Sequence, residues 1–209
     1  MWYISSLAKE KEMTTDMSGQ NIVTPSAENI AASVSAATHH KGLPPVHLWN
    51  PPFCGDLDIR IARDGTWFYL GTPIGRPALV KLFSSILKKE AEKYYLVTPV
   101  EKVGIQVDDA PFVAVDVDHR DGDLHFTTQV GDTMIAGPNH PIRVERDTKT
   151  GEPSPYVLVR SNLEALIDRK SFYRLVDLGL HETWEGESWF GLRSQSTFFP
   201  MIPSRELNN

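Results

Sequence analysis

Residues 59–64 read Ile59-Arg60-Ile61-Ala62-Arg63-Asp64, and residues 142–147 read Ile142-Arg143-Val144-Glu145-Arg146-Asp147. Four of the six positions are identical and a fifth exchanges Ile for Val. The first run alternates apolar and polar residues, the period-two pattern of a half-buried strand, and the second follows it closely. Each is followed by a turn, an aromatic strand and an apolar pattern opening on Leu-x-x-Leu: Leu79, Leu82, Phe83 in the first copy, and Leu163, Leu166, Ile167 in the second. The chain therefore reads as two strand-turn-strand-helix units in tandem. Related units tend to pack on one another, and the groove between them is the expected place for a ligand.

Working outward from the first copy, Asp64-Gly65 is a hairpin turn, because both residues tolerate positive φ. Trp67–Leu70 returns as a strand. The loop Gly71–Arg76 leads to Pro77, suited to a first helical turn, and Leu79, Leu82, Phe83 and Ile86 predict an amphipathic helix ending near Glu92. Period-two or continuous apolar runs over 94–98, 100–107, 112–118, 124–130 and 133–136 predict strands, separated by Asp- and Gly-rich turns. The second copy follows: a strand over 141–146, a turn at 148–151 and a strand over 155–160. Asn162 suits the N-cap of a helix; its apolar phase slips near Ser171, so two short helices ending at Gly179 fit as well as one. Trp184 to Pro203 is aromatic and Gly-punctuated and reads as short packed strands. Residues 1–42 read as a flexible tail holding a marginal helix over 27–37. The expected divisions are thus 1–42 for the tail, 43–93 for a hairpin-plus-helix unit and 94–209 for a larger β unit.

Composition narrows the function. The 209 residues are 41% hydrophobic, enough for a sizeable core, and the net charge of −6 argues against a nucleic-acid surface. No apolar run approaches the roughly 20 residues that span a bilayer. Met1-Trp2-Tyr3-Ile4, followed by Lys9-Glu10-Lys11-Glu12, lacks a secretory pattern, so a soluble cytoplasmic protein without membrane insertion is expected. The lone Cys54 excludes an internal disulfide.

Candidate chemistry is sparse. Arg63 and Arg146 stand at strand ends beside Asp64 and Asp147, where a structural ion pair or turn contact is expected. Arg60 and Arg143 face the other way. If the units pack about a pseudo-twofold, both approach one groove, where a guanidinium suits phosphate or carboxylate; as separate strand residues they are simply solvated. The helix start behind Gly71–Arg76 offers free N–H groups to an anion but lacks a phosphate-loop ending. Asp116–Asp123 departs from the calcium-loop register and reads as a hairpin turn. Cys54 is followed by Gly and Asp, neither of which activates a thiol. Trp49 and Phe53, in a loop, are the aromatics placed to stack on a flat ring.

The run Leu48-Trp49-Asn50-Pro51, Phe53 to Arg60-Ile61 and Asp64 to Ile74 resembles a bacterial family known only as domain of unknown function 1285. So do Thr98-Pro99-Val100-Glu101-Lys102, Val107 to Phe112, Val130-Gly131-Asp132 and His140-Pro141-Ile142-Arg143-Val144. The resemblance covers about residues 43–200. It implies a duplicated core of α+β class. Its C-terminal unit would extend into a curved antiparallel sheet or partly open barrel resembling a pleckstrin-homology fold. It also implies a groove for a nucleotide-like ligand and a role in signal transduction; no catalytic residue carries over. The resulting expectation is a non-enzymatic sensor for a small anionic ligand. Its candidate ligand-binding residues are Trp49, Phe53, Asp58, Arg60, Trp67, Arg76 and Arg143, and no cofactor, metal or catalytic residue is assigned. The alternatives are a protein-interaction module with a protein partner, and a small enzyme using Cys54 or a carboxylate.

Overall fold

The computed structural model describes residues 26–37 and 42–207. The rest of the expected 1–42 tail lies outside the described residues. Ala27–Ala37 forms helix α1, and its Ala27, Ile30 and Val34 are buried in the core, so this part of the tail belongs to the fold. The spacing i, i+3, i+7 puts all three on one face.

The first sheet contains β1 (Phe53–Ile61), β2 (Trp67–Tyr69), β3 (Thr72–Pro73), β4 (Leu87–Glu90), β5 (Lys93–Val97) and β6 (Lys102–Val107), with helix α2 (Pro77–Ser85) between β3 and β4. Its order is β3-β2-β1-β6-β5-β4. The second sheet contains β7 (Phe112–Arg120), β8 (Asp123–Thr128), β9 (Thr133–Ile135), β10 (Ile142–Arg146), β11 (Pro153–Arg160) and β12 (Leu163–Ile167), in the order β9-β8-β7-β12-β11-β10. Helix α3 (Arg169–Asp177) follows and packs on β7. A third, three-stranded sheet is built from β13 (Leu180–Trp184), β14 (Glu187–Ser194) and β15 (Thr197–Pro203). The large sheets are curled, and the class is α+β, as expected.

The two large sheets have one topology. Adding six to each strand number of the first generates the second, and in each the central pair alone is parallel: β1 with β6, β7 with β12. This establishes the duplication and corrects its register. Ile59–Ile61 lies on β1, whose counterpart is β7; Ile142–Arg146 is β10, the counterpart of β4. The short motif recurred because any strand with one wet face alternates apolar residues with charge. The informative echo is Arg63-Asp64-Gly65 against Arg120-Asp121-Gly122. Each makes the hairpin after its unit's first strand, with Gly65 and Gly122 at positive φ.

Three other expectations change. The helix after Pro77 ends at Ser85, and Lys88-Lys89-Glu90 pairs with β5 as an edge strand. Leu163–Ile167 is a strand, with Leu163, Ala165 and Ile167 buried and its backbone paired to β7 and β11; the helix begins after Asp168, whose carboxylate accepts from Ser171 N at 2.7 Å. A division at 93/94 falls inside the β4–β5 hairpin, since β5 and β6 complete the first sheet.

One continuous core joins all three sheets. Trp67 stacks on Phe83 beneath α2 with centroids 6.3 Å apart. Between the units, the Arg160 guanidinium pairs with Asp132, donates to the Ser84 carbonyl at 2.7 Å and lies 4.7 Å over the Phe112 ring. Arg63 reaches Ser154 Oγ at 2.9 Å and Asp109 at 3.3 Å, the structural pairing expected of it. The third sheet is pinned to the second by the buried Ser194, whose hydroxyl donates to Ala136 O at 2.7 Å and accepts from Leu124 N at 3.0 Å.

Candidate functional site

The strand arginines are closed by carboxylates. Arg60 faces outward from β1 and donates Nε to Asp108 at 2.9 Å, and its Nη2 to the other Asp108 oxygen. This fork holds the Asp108 carboxyl below the usual carboxylate range. Arg143 sits on β10, donates two bonds of 2.6 Å to Glu164, pairs with Glu145 and covers the Tyr156 ring at 4.3 Å. Hydrogen bonding to Glu164 raises its already high pKa further. The two arginines stand on different sheets and are held by different carboxylates, Asp108 and Glu164. A phosphate at either would have to displace a bidentate carboxylate.

The remaining candidates divide. Trp67 is 2% exposed and cannot stack on a ligand, because the alternation of β2 turns it inward under Phe83. Trp49 is half-buried against the core. Phe53 is 54% exposed, edge-on to Tyr95 at 6.2 Å. Asp58 is exposed on β1 beside Arg60. Cys54 is exposed, its thiol 3.4 Å from the Pro52 carbonyl. Among the described residues no group of three His, Cys, Asp or Glu side chains is placed to hold a metal ion, and no helix is long and apolar enough to cross a membrane.

Arg76 differs from the other two arginines. It directly precedes α2 and lines a cleft of about 220 Å³ together with Tyr69, Thr72, Pro73, Ile74, Gly75 and Leu79 on one side and Ala27, Glu28 and Ala31 of α1 on the other. Among the described residues it has no carboxylate within ion-pair distance. The helix start itself offers little to an anion: Pro77 has no N–H, and the Leu79 and Val80 amides both return to the Arg76 carbonyl, at 3.0 and 3.2 Å. Charge recognition in this cleft therefore falls to the Arg76 side chain. Glu28 and the α1 wall escaped the sequence reading, although Ala27, Ile30, Ala31 and Val34 follow the i, i+3, i+4, i+7 spacing of a packed helix.

Two family profiles cover this architecture: "Domain of unknown function (DUF1285), N-terminal domain" over residues 44–110, and "Protein of unknown function (DUF1285), C-terminal domain" over 111–201. The chain belongs to the DUF1285 family. The two DUF1285 profiles meet between β6 and β7, at the joint between the duplicated sheets. The crystal structure of a DUF1285 protein from Silicibacter pomeroyi DSS-3 is 62% identical in sequence, with a TM-score of 0.77; the match covers 86% of this chain and 98% of that one. A DUF1285 protein from Shewanella baltica OS155 is 31% identical over 57% of this chain and 90% of its own, with a TM-score of 0.47. No curated protein matches the sequence. Helix α1, which forms one wall of the cleft, lies outside the residues matched by both DUF1285 profiles.

Proposed function

We propose that this protein is a non-enzymatic cytoplasmic sensor that binds a small anionic, ring-bearing molecule of nucleotide type in the cleft between α1 and the start of α2. The carrying observation is Arg76, the candidate arginine that no carboxylate closes among the described residues. Its fork suits phosphate or carboxylate. Tyr69, Pro73, Ile74 and Leu79 give a flat ring an apolar wall, and Glu28 on the opposite side accepts from a ring amine. Because α1 forms one side, an occupied cleft ties α1 more firmly to α2. That coupling is the physical basis of a signalling role.

The test is thermal unfolding of the full chain with ATP as the nucleotide probe. Ligand at 100 times its dissociation constant stabilises the folded state by about 2.7 kcal/mol, a shift read directly in Tm. The shift is expected in the natural protein and absent in Arg76→Ala. No shift with the natural protein, or an equal shift in both, would overturn the reading.

A further inference from the structure

Among the described residues, the four outer edges of the two large sheets are closed in different ways. β3 is two residues long and ends in Pro73, and β9 is three residues long. β4 carries Lys88, Lys89 and Glu90, and β10 carries Arg143, Glu145 and Arg146 and packs beside β15. Short length, charge and cover are the ordinary devices that keep an edge from pairing. β13, Leu180-His181-Glu182-Thr183-Trp184, uses them least: its one charged residue, Glu182, is paired with Arg193 of the neighbouring strand. It is five residues long, without Lys or Pro, and its register with β14 runs without a bulge from Leu180↔Gly191 to Trp184↔Glu187. Among the described residues nothing pairs with its outer side.

The turn fixes what that edge offers. Glu185 and Gly186, both at positive φ, make a two-residue hairpin loop. The residues flanking such a loop exchange both backbone hydrogen bonds, and exchange alternates along the pair. Trp184, Glu182 and Leu180 are therefore bonded to β14, while the N–H and C=O groups of His181 and Thr183 point outward.

We infer that β13 is a dimer edge: a second copy of this chain pairs with it antiparallel, about a twofold axis at Glu182, to make one continuous six-stranded sheet. In that register His181 of each copy exchanges both bonds with Thr183 of the other, so every outward backbone group of the two residues is used. Leu180, which is 36% exposed, meets Trp184 of the second copy on the same face. The two Glu182 carboxylates face each other, and each brings its own Arg193, bonded through Nε at 3.2 Å. The centre of the interface thus holds two carboxylates and two guanidiniums. A foreign strand would have to supply both the apolar partners and this charge balance; the second copy supplies them by symmetry. The inference is independent of the ligand reading.

Light scattering after size-exclusion chromatography of the full chain gives the test. The expected mass is twice that of one chain. Thr183→Pro removes an outward N–H that β14 does not use, so it should give a folded monomer with unchanged circular dichroism. A monomeric natural protein, an open-ended series of larger species, or a dimer that survives Thr183→Pro would overturn the inference. If Thr183→Pro unfolds, crosslinking decides. On a Cys54→Ser background, Glu182→Cys places the two sulfurs at a directly opposed, non-hydrogen-bonded pair with Cα atoms about 4.5 Å apart, within disulfide reach. Oxidation should then link the copies for Glu182→Cys and leave Glu187→Cys, one strand further in, unlinked. Failure of Glu182→Cys to link, or equal linking by both, counts against it.

Discussion

Tyr156 shows how a single residue ties chemistry to stability. Its phenol donates to Asp109 at 2.8 Å, and burial, helped by that carboxylate, pushes its pKa up to about 12. A free phenol ionises near 10. Because the folded value is the higher one, this contribution to stability is intact below about pH 10 and is lost as pH climbs towards 12. We expect Tyr156→Phe to remove one late-ionising phenol from the ultraviolet titration of the folded protein and to cost about 1 kcal/mol in urea unfolding. An unchanged late phase would contradict this placement of Tyr156. The residue scale is also where sequence reading ran out. Arg60 and Arg143 looked available because their partners, Asp108 and Glu164, lie 48 and 21 residues away and meet them only through strand pairing. Arg76 was named on the same footing as the others, and the fold separates it from them.

Elements were legible where one pattern ruled and misread where two coincided. Leu57, Ile59 and Ile61 alternate so plainly that β1 needed no tertiary help. Leu163, Leu166 and Ile167 fit a helix, but Leu163, Ala165 and Ile167 equally fit a strand, and pairing of Ala165 with Phe112 of β7 settles it. The run Lys88-Lys89-Glu90 extended a helical pattern on paper, yet its pairing with β5 makes it an edge strand. The cap that does start α3 gives a prediction at this scale. Asp168→Ala removes the bond to Ser171 N and should cost about 1 kcal/mol. Amide exchange in the first turn of α3 should speed up more than exchange in β12. Equal protection in both proteins would show that the helix start is held by packing alone.

At the scale of the molecule, duplication was correctly expected from sequence, but from the wrong pair of segments. The residues that matched lie on strands β1 and β10, which are not counterparts. The counterpart turns share only Arg-Asp-Gly, too short a signal to stand out in 209 residues. Among the polar links between the two copies is Arg160, reaching from β11 to Asp132 and to the end of α2. Arg160→Ala leaves the Ser84 carbonyl and a half-buried carboxylate without this donor. We expect a loss of about 2 kcal/mol by urea unfolding, and an unchanged midpoint would mean that apolar packing alone couples the units.

The proposed function rests on the contrast between one arginine without a carboxylate partner among the described residues and two that carboxylates close. The direct measurement is calorimetric titration of ATP into three proteins: the natural chain, Arg76→Ala, and Arg60→Ala combined with Arg143→Ala. Binding that persists in the double variant and disappears in Arg76→Ala is the predicted result. Binding lost in the double variant and retained in Arg76→Ala, or absent from the natural chain, would contradict the account.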